Sequence, residues 1–377
     1  MRLRIAPLVT VSLVSALLLS ACATDRVERE PDETGAEPML ASANVPHQVI
    51  REAFLTALTP PENVDSPASW IAPDGRVLLL ATSKKTSRLM IYDGDTGAEL
   101  RRYGSAGAKP GQFLRPNGIA VHGDRVYVVE RDNRRVQVLQ LPGLESLGSF
   151  GTGELQQPYG LWVRDIDGGK VEVLVSDAYM AGEDANGDEI PPPLAQLNAR
   201  FKGYEVGAGA GPFMARYFGA FGDTSTAGAI RVPESLWGDV ANDRLLIAEE
   251  DLKTGTAVRE YDLAGKYRGR TIGLGLFKAQ AEGIALWTCA DGSGYWLTTD
   301  QFKDRSLFHV FDRKTLAHLG AFSGETVGNT DGVWLQQGAT KRFPAGVFYA
   351  VHDDMGVGAF DWRDIAKALS LRENCGS

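Results

Sequence analysis

Three consecutive carboxylates, Glu249, Glu250 and Asp251, follow directly on the apolar run Leu245–Ala248. If that run is a buried strand, it carries a cluster of negative charge to its own end, where the like charges repel one another. Hard divalent cations, chiefly Ca²⁺, are the natural partners of clustered carboxylate oxygens. A bound Ca²⁺ also lowers the pKa of its water, so this stretch predicts a metal site that can support hydrolysis.

Similar acids stand at the start of other short strands, because one pattern recurs along the chain. It is a turn with Pro or an acid, then Gly or Ser, then an alternating apolar strand. The six copies are DSPASWIA (65–72), RPNGIAV (115–121), QPYGLWV (157–163), VPESLWGDV (232–240), AEGIALW (281–287) and NTDGVWLQ (329–336). Most copies are about 45 residues apart, and four short strands in a unit of that length are typical of a propeller blade.

The repeat predicts an all-β chain that folds as a six-bladed β-propeller of four-stranded antiparallel blades, with a helix after the last blade. Propellers bind ligands at the mouth of the central channel, and the opening turn of each unit lies near that rim. We therefore predict that carboxylates of these turns, with Glu250, hold Ca²⁺ there. The candidate metal ligands are Asp65, Glu234, Glu250, Glu282 and Asp331. Solvated turn acids are the alternative, since Asp and Glu are common at turns.

The third unit contains an insertion. Pro158 and Pro233 stand 75 residues apart, and the extra chain, residues 177–201, includes DANGDE (184–189). Its oxygen-bearing side chains alternate around a Gly, as in part of a calcium-binding loop, but the distal Glu of a complete EF-hand loop is missing. A metal site and a plain polar loop are both compatible with this segment.

Residues 1–21 have the features of a signal peptide, with a basic start and the apolar run 6–19. The string LSAC (19–22) is similar to a bacterial lipobox, so we predict a lipoprotein that is lipidated at Cys22. Because Ala rather than Asp follows the Cys, we expect anchoring to the outer membrane, in the periplasm or at the cell surface. Ordinary signal cleavage near ACA is the alternative.

The rest of the chain divides into two parts. Residues 22–48 are polar, charged and contain Pro, so we predict a flexible tether. Residues 49–377 form the propeller domain, which we expect to be a monomer that meets a membrane through its lipid anchor only.

Charge and cysteine content limit the possible partners. The net charge of -9 argues against nucleic acid, which requires a basic face. Cys289 and Cys375 remain as an even pair in an oxidising compartment, and either a disulfide or two thiols is compatible with the sequence.

A set of longer strings points to one known family. They are DSPASW, TSKKTSRLMIYD, PYGLWV, PES, LLIAEED, AEGIALWTCADGSGYWLTT, NTDGVWL and FPAGVFYAVHDD. They resemble the β-propeller phytases, calcium-dependent exported enzymes that remove phosphate from inositol hexakisphosphate. As in that family, a Glu of the fourth unit and the second Glu of AEED, here Glu234 and Glu250, stand 16 residues apart. The resemblance covers about residues 54–369 and is closest after Pro233.

The resemblance implies a calcium-dependent phosphomonoester hydrolase of the 3-phytase type, which acts on a phytate-like small molecule. Ca²⁺ ions in the channel mouth would bind the substrate phosphates and activate a water. The implied metal ligands are Asp65, Glu234, Glu250, Glu282 and Asp331. The implied catalytic residues, which position the water, contact the metal site or hold phosphate oxygens, are Glu250, Lys84, Arg134 and Tyr159.

Two departures from the family pattern keep alternatives open. The family has two adjacent Asp where this chain has Asp65 and Ser66. Residues 111–141 closely resemble an NHL repeat, a blade common in binding and scaffold proteins, in which Arg134 and Arg135 would stabilise the blade. The alternatives are a non-catalytic NHL-like propeller that binds a ligand or an envelope partner, and a lactonase-type hydrolase with one metal held by Glu, Asn and Asp.

Overall fold

Nearly all of the regular structure in this chain is β-strand, as the repeat predicts. A computed structural model describes residues 38–185, 187, 189–207, 209 and 211–375. Six sheets form a ring around a central channel, which confirms the predicted six-bladed β-propeller. Cys22, Asn186 and Asp188 lie outside the described residues, so the lipidation and the complete DANGDE loop stay predictions.

The described chain begins with an arm that runs along the ring before the first blade. It contains the short helix α1 (Leu40–Ala43) and the two-residue strands β1 (Gln48–Val49) and β2 (Phe54–Leu55). Within residues 38–48, which the sequence predicts as part of the tether, Leu40, Ala43 and Val45 pack against the propeller.

Blades 1 and 2 each consist of four antiparallel strands in chain order, with the first strand innermost. Blade 1 contains β3 (Val64–Ile71), β4 (Val77–Ser83), β5 (Arg88–Asp93) and β6 (Glu99–Tyr103). Blade 2 contains β7 (Pro116–His122), β8 (Arg125–Glu130), β9 (Arg135–Gln140) and β10 (Glu145–Phe150).

Blade 3 carries the insertion between its second and third strands. Its strands are β11 (Pro158–Ile166), β12 (Lys170–Asp177), β15 (Phe201–Gly207) and β16 (Ala215–Phe221). The inserted segment forms the hairpin β13 (Gly182–Glu183) and β14 (Glu189–Ile190), then the 3-10 helix Leu194–Gln196.

Blades 4 to 6 complete the ring. Blade 4 contains β17 (Pro233–Asp239), β18 (Arg244–Glu249), β19 (Ala257–Tyr261) and β20 (Tyr267–Ile272), with the 3-10 helix Val240–Asn242 after β17. Blade 5 contains β21 (Ala281–Thr288), β22 (Gly294–Asp300), β23 (Leu307–Asp312) and β24 (His318–Ser323). Blade 6 contains β25 (Val333–Gln336), β26 (Val347–His352) and β27 (Gly356–Asp361).

The arm supplies strands to the last two blades. β2 pairs antiparallel with β27 and becomes the outermost strand of blade 6, so the start of the chain closes the ring. β1 pairs in parallel with β24 and extends blade 5 to five strands. An edge strand without a partner is a liability for aggregation, and β1 covers this one.

The core lies between neighbouring blades. Second strands such as β18 are buried along their whole length because each of their faces meets a neighbouring blade, which explains their unbroken Leu, Ile and Val runs. Outer strands such as β6 are exposed and carry charged residues.

The end of the chain packs on blade 5 and blade 6. Helix α2 (Trp362–Leu369) begins at Asp361, whose carboxylate accepts a hydrogen bond from Arg363 N. Cys289 and Cys375 form a disulfide, one of the two alternatives left open by the sequence. Among the described residues, no helix has the length and apolar character that crossing a membrane requires.

Candidate functional site

One face of the propeller carries the start of every innermost strand and the end of every second strand, because these neighbours run antiparallel. In blades 1 to 5, the first residue of the innermost strand pairs with the last residue of the second strand, so the next residue is equivalent in all five. In blade 6 the equivalent residue precedes Gly332. We call these six buried residues the mouth ring: Asp65, Asn117, Tyr159, Glu234, Glu282 and Asp331.

The residue after each ring member is Gly or Ser, and the packing explains why. A Cβ on Gly332 would lie 2.8 Å from the carbonyl oxygen of Asp65 in blade 1, and one on Gly118 would lie 2.5 Å from that of Tyr159 in blade 3. The Gly332 N–H donates to the Asp65 carbonyl at 3.1 Å. Close approach of neighbouring backbones therefore holds the ring members side by side.

A second set of equivalent residues directly follows the second strands. The backbone N–H of each donates to a carbonyl in the loop before the innermost strand of the same blade, at 2.8–3.1 Å. We call this set the rim: Lys84, Arg131, Ala178, Glu250, Gln301 and Asp353. Blades 1 and 2 thus carry cations on the rim, whereas blades 4 and 6 carry carboxylates.

Lys84 joins two carboxylates of the ring. Its Nζ lies 3.1 Å from Asp65 Oδ2 and 3.3 Å from Asp331 Oδ2, and all three side chains are largely buried. Tyr159 Oη donates to Asp65 Oδ2 at 3.5 Å, and Ser66 Oγ donates to Asp65 Oδ1 at 2.6 Å. Ser66, which replaces the second Asp of the family, is therefore a hydrogen-bond donor to the remaining one.

The electrostatics of this corner extend to blade 6. Burial raises the pKa of Asp354, while Lys84 acts to lower it and Asp65 to raise it. The neighbouring Asp353 forms an ion pair with Lys303, whose Nζ lies 3.6 Å from Asp353 Oδ1. The closing loop of blade 6 thus adds carboxylates to a region where lysines already balance part of the charge.

Two glutamines of blade 5 hold carboxylates of the adjacent blades, and neither was predicted from the sequence. Gln280 Nε2 donates to Glu250 Oε1 of blade 4 at 3.0 Å, and Gln301 Nε2 donates to Asp331 Oδ1 of blade 6 at 2.6 Å. Their positions, directly before β21 and directly after β22, are the only sequence signal that identifies them.

The three carboxylates Glu249–Asp251 have three different surroundings. Glu249 is fully buried and accepts the N–H groups of Arg231 and Val232, each at 2.9 Å. Burial raises its pKa to about 7, although these hydrogen bonds and Arg259 act to lower it. Asp251 accepts Lys253 N and Thr254 Oγ1 within its own turn. Of the three, Glu250 is the one on the rim, and the metal site predicted for this stretch stays a prediction.

A small cavity opens between blades 2, 3 and 4. Its volume of about 20 Å³ has room for about one water molecule. The lining side chains include Arg131, Gln157, Tyr159, Glu189, Glu234 and Glu250. Glu189 comes from the insertion hairpin, so the DANGDE segment contributes to the channel mouth rather than standing apart from it.

The structure places Arg134 away from this cavity. It is exposed in the turn between β8 and β9, with a positive φ of 52°, and its N–H donates to the carbonyl of Arg131. Arg131, three residues earlier, holds the rim position of blade 2, and the role of Arg134 in holding phosphate oxygens stays a prediction. Arg135 Nε donates to Glu130 Oε1 at 2.7 Å within blade 2.

The donor chemistry of the ring suits a hard cation, but the side chains are not preassembled around one. Within the described ranges, no group of three His, Cys, Asp or Glu side chains is arranged to hold a metal ion. Asp65 and Asp331 hold Lys84 instead. Asn117, fully buried, has a side-chain amide without a hydrogen-bond partner among the described residues, so its oxygen suits a ligand role.

Comparison with known proteins gives no family. Neither a protein-family model nor a curated protein matches the chain. Among solved structures it is similar to the Kuenenia stuttgartiensis hydrazine synthase, with 14% identity over 85% of this chain and 82% of that one and a TM-score of 0.46. A nidogen/laminin complex is 15% identical over 70% of this chain and 81% of that one, with a TM-score of 0.43. Regucalcin, a calcium-binding protein of Agrobacterium tumefaciens, is 9% identical over 84% of this chain and 95% of that one, with a TM-score of 0.48.

Proposed function

We propose that the chain is a calcium-dependent phosphomonoester hydrolase that acts at the channel mouth on inositol hexakisphosphate or a related phosphoester. The observation that carries this proposal is that four carboxylates occupy equivalent positions of one ring: Asp65, Glu234, Glu282 and Asp331. Lys84 and Arg131 stand on the rim of the same face. Carboxylates suit a hard cation and these basic groups suit phosphate oxygens, so one mouth offers both kinds of partner.

The metal would be held by carboxylates of the ring and the rim: Asp65, Glu234, Glu250, Glu282 and Asp331. When bound, Ca²⁺ supplies neutralising charge for the phosphate and a water of lowered pKa. An anionic protein with a net charge of -9 needs such a bridge to hold a polyanion. The lipoprotein anchor and export remain part of the proposal.

The basic residues of the rim act on the substrate in this proposal. Lys84 is paired with Asp65 and Asp331, and we expect it to exchange these carboxylates for an anionic phosphate oxygen. Arg131 lines the cavity beside Glu234 and binds a phosphate oxygen through its planar guanidinium. Substrate binding and release of Lys84 from the ring are therefore linked.

We assign Glu250 as the acceptor of the proton from the attacking water. It lines a cavity with room for about one water, and Gln280 orients its Oε1 by a hydrogen bond of 3.0 Å. Tyr159 lines the same cavity and donates to Asp65, so it orients a ring carboxylate next to the substrate.

The test is release of phosphate from phytate by the chain from Ala23 onward, with added Ca²⁺ and with chelator. We expect release only with Ca²⁺, and Glu250→Gln should lower kcat by about a hundredfold or more without unfolding the chain. Glu145→Gln, an exposed carboxylate on β10, is the control and should leave kcat unchanged. Equal rates with chelator and with Ca²⁺ would overturn the proposal.

A metal-dependent lactonase is the second candidate, and Asn117 is the observation that favours it. With Asn117, the ring contains the Glu, Asn and Asp types that a single-metal lactonase uses. Lactone hydrolysis that depends on Asn117 and not on Lys84 would select this candidate over the phosphatase. If Ca²⁺ raises the melting temperature but neither substrate reacts, the chain is a binding propeller.

A further inference from the structure

We infer that the first part of the N-terminal arm, residues 38–49, positions the two blade 5 glutamines that hold carboxylates of the channel mouth. The arm is far in sequence from these residues, since Leu40 and Asp304 are separated by 264 positions. Its docking is therefore a tertiary contact that can be weakened without altering the mouth residues themselves.

The arm is fastened to the loop between β22 and β23, at the mouth end of blade 5. Asp304 accepts Leu40 N through Oδ1 at 2.6 Å and Ala41 N through Oδ2 at 3.2 Å. Lys303 N donates to the carbonyl of Pro38 at 3.1 Å. Three hydrogen bonds thus fix the start of the described arm next to the rim.

An apolar contact joins the arm to the glutamines. Leu40, only 3% exposed, belongs to a small core cluster with Ala279 and Phe302. Ala279 directly precedes Gln280, and Phe302 directly follows Gln301. The side chain of Leu40 therefore packs behind the two backbone segments from which the glutamines extend.

The glutamine pair connects three blades. The N–H of Gln301 donates to the carbonyl of Gln280 at 2.9 Å, so a backbone hydrogen bond joins the two segments. Their side chains reach Glu250 in blade 4 and Asp331 in blade 6. The Phe302 carbonyl also accepts Asn329 N at 2.9 Å, two residues before Asp331.

The consequence is that Leu40 and Asp304 are positioning residues for the acidic side of the mouth. Loss of the Leu40 side chain leaves a cavity against Ala279 and Phe302, and the two segments gain freedom. The glutamine amides then hold their carboxylates less firmly. The blade 1 corner around Lys84 reaches this network through Asp331, one contact further from the arm, and should respond less.

Hydrogen exchange of the full chain, followed by mass spectrometry, tests this inference. Leu40→Ala is compared with Leu316→Ala, which creates a similar cavity in blade 5 at the opposite end of its strands, where Leu316 is 4% exposed. We expect Leu40→Ala to speed exchange about tenfold at the amides of Gln301, Gly283 and Asn329, and Leu316→Ala to leave those amides unchanged.

Two further variants keep the test decisive. Leu40→Met conserves the volume of the side chain, so exchange at these amides should be as slow as in the parent chain. A general loss of stability would not discriminate between the Leu40→Ala and Leu316→Ala chains. If Leu40→Ala does not fold, Asp304→Ala removes the acceptor for the arm and should speed exchange at the same amides. Equal exchange in the Leu40→Ala and Leu316→Ala chains, or no change in the Asp304→Ala chain, would overturn the inference.

A metal titration connects the arm to the proposed function, and this part alone rests on it. If the parent chain binds Ca²⁺, we expect Leu40→Ala to raise the Kd for Ca²⁺ about tenfold and Leu316→Ala to leave it unchanged. If the parent chain binds no Ca²⁺, the proposed function fails, while the exchange result still decides the role of the arm. Tight Ca²⁺ binding that is equal in both variants would contradict control of the mouth by the arm.

Discussion

The channel mouth has two unlike sides, although both are built from the same strand positions. In blade 1, the buried carboxylate Asp65 is neutralised from within the chain by Lys84. In blade 4, the rim residue is Glu250, which is oriented by the neutral amide of Gln280. An amide orients a carboxylate by a hydrogen bond, whereas an ammonium group also balances its charge. In the proposed function, we expect an external cation to act first on the acidic side.

The comparison shows how a repeated fold acquires an asymmetric site. The backbone gives every blade the same rim position, with the same hydrogen bond to the loop before its innermost strand. Only the side chain at that position differs, from Lys84 and Arg131 on one side to Glu250 on the other. A phosphoester would meet the basic side and a cation the acidic side, within one ring.

The largest effect on stability is expected on the basic side. Lys84→Met should lower the free energy of unfolding by about 3–5 kcal/mol, because Asp65 and Asp331 lose a buried cation within 3.3 Å. Urea unfolding measures the change, and Lys84→Arg, which keeps the charge, is the control. If the Lys84→Met chain is as stable as the parent, Lys84 does not stabilise the buried carboxylates of the basic side, and the contrast with the acidic side fails.

The acidic side should respond to pH through Glu249. Its pKa is raised from 4.5 to about 7 in the fold, so between these values the native state binds more protons than the unfolded chain. The contribution of Glu249 to the free energy of unfolding is therefore largest below pH 4.5 and falls as the pH rises to about 7. Glu249→Gln should flatten this part of the stability profile, measured by urea unfolding at several pH values.

If the free energy of unfolding of Glu249→Gln has the same slope against pH as the parent between pH 4.5 and 7, groups other than Glu249 cause that slope. Glu145→Gln, the exposed carboxylate on β10, is the control, because Asp251 itself acts on the pKa of Glu249. We expect Glu145→Gln to leave this slope unchanged.

The smallest effect separates two neighbouring arginines of blade 2. Arg131→Ala removes a cation that lines the cavity and should raise KM for a phosphoester about tenfold, or about 1.4 kcal/mol. Arg134→Ala, in an exposed turn, should change KM less than twofold and stability by less than about 0.5 kcal/mol. Steady-state kinetics of both variants decide the assignment, and the reverse order would restore Arg134 to the site.

Much of the fold was predictable because the repeat is local. Each unit contains a turn, a Gly or Ser and an alternating strand. Because the first two strands of each blade pair in the same register, the acids of different units reach equivalent positions. Asp65, Glu234, Glu282 and Asp331 therefore enter one ring, as the spacing predicts. The arm was not recognised, because β1 and β2 are two residues long and acquire their strand partners only from blades 5 and 6.

The sequence by itself determined the six units, the ring of acids and the even pair of cysteines, since these depend on residue types at a regular spacing. The tertiary structure alone decided which groups meet: Lys84 with Asp331 across 247 positions, and the two blade 5 glutamines with the carboxylates of their neighbours. It also separated Glu249 from Glu250, because the Glu249 carboxylate accepts the N–H groups of Arg231 and Val232 at the end of β18, whereas Glu250 follows the strand on the rim. Local pattern specifies where a strand begins, but contacts between distant strands depend on closure of the ring.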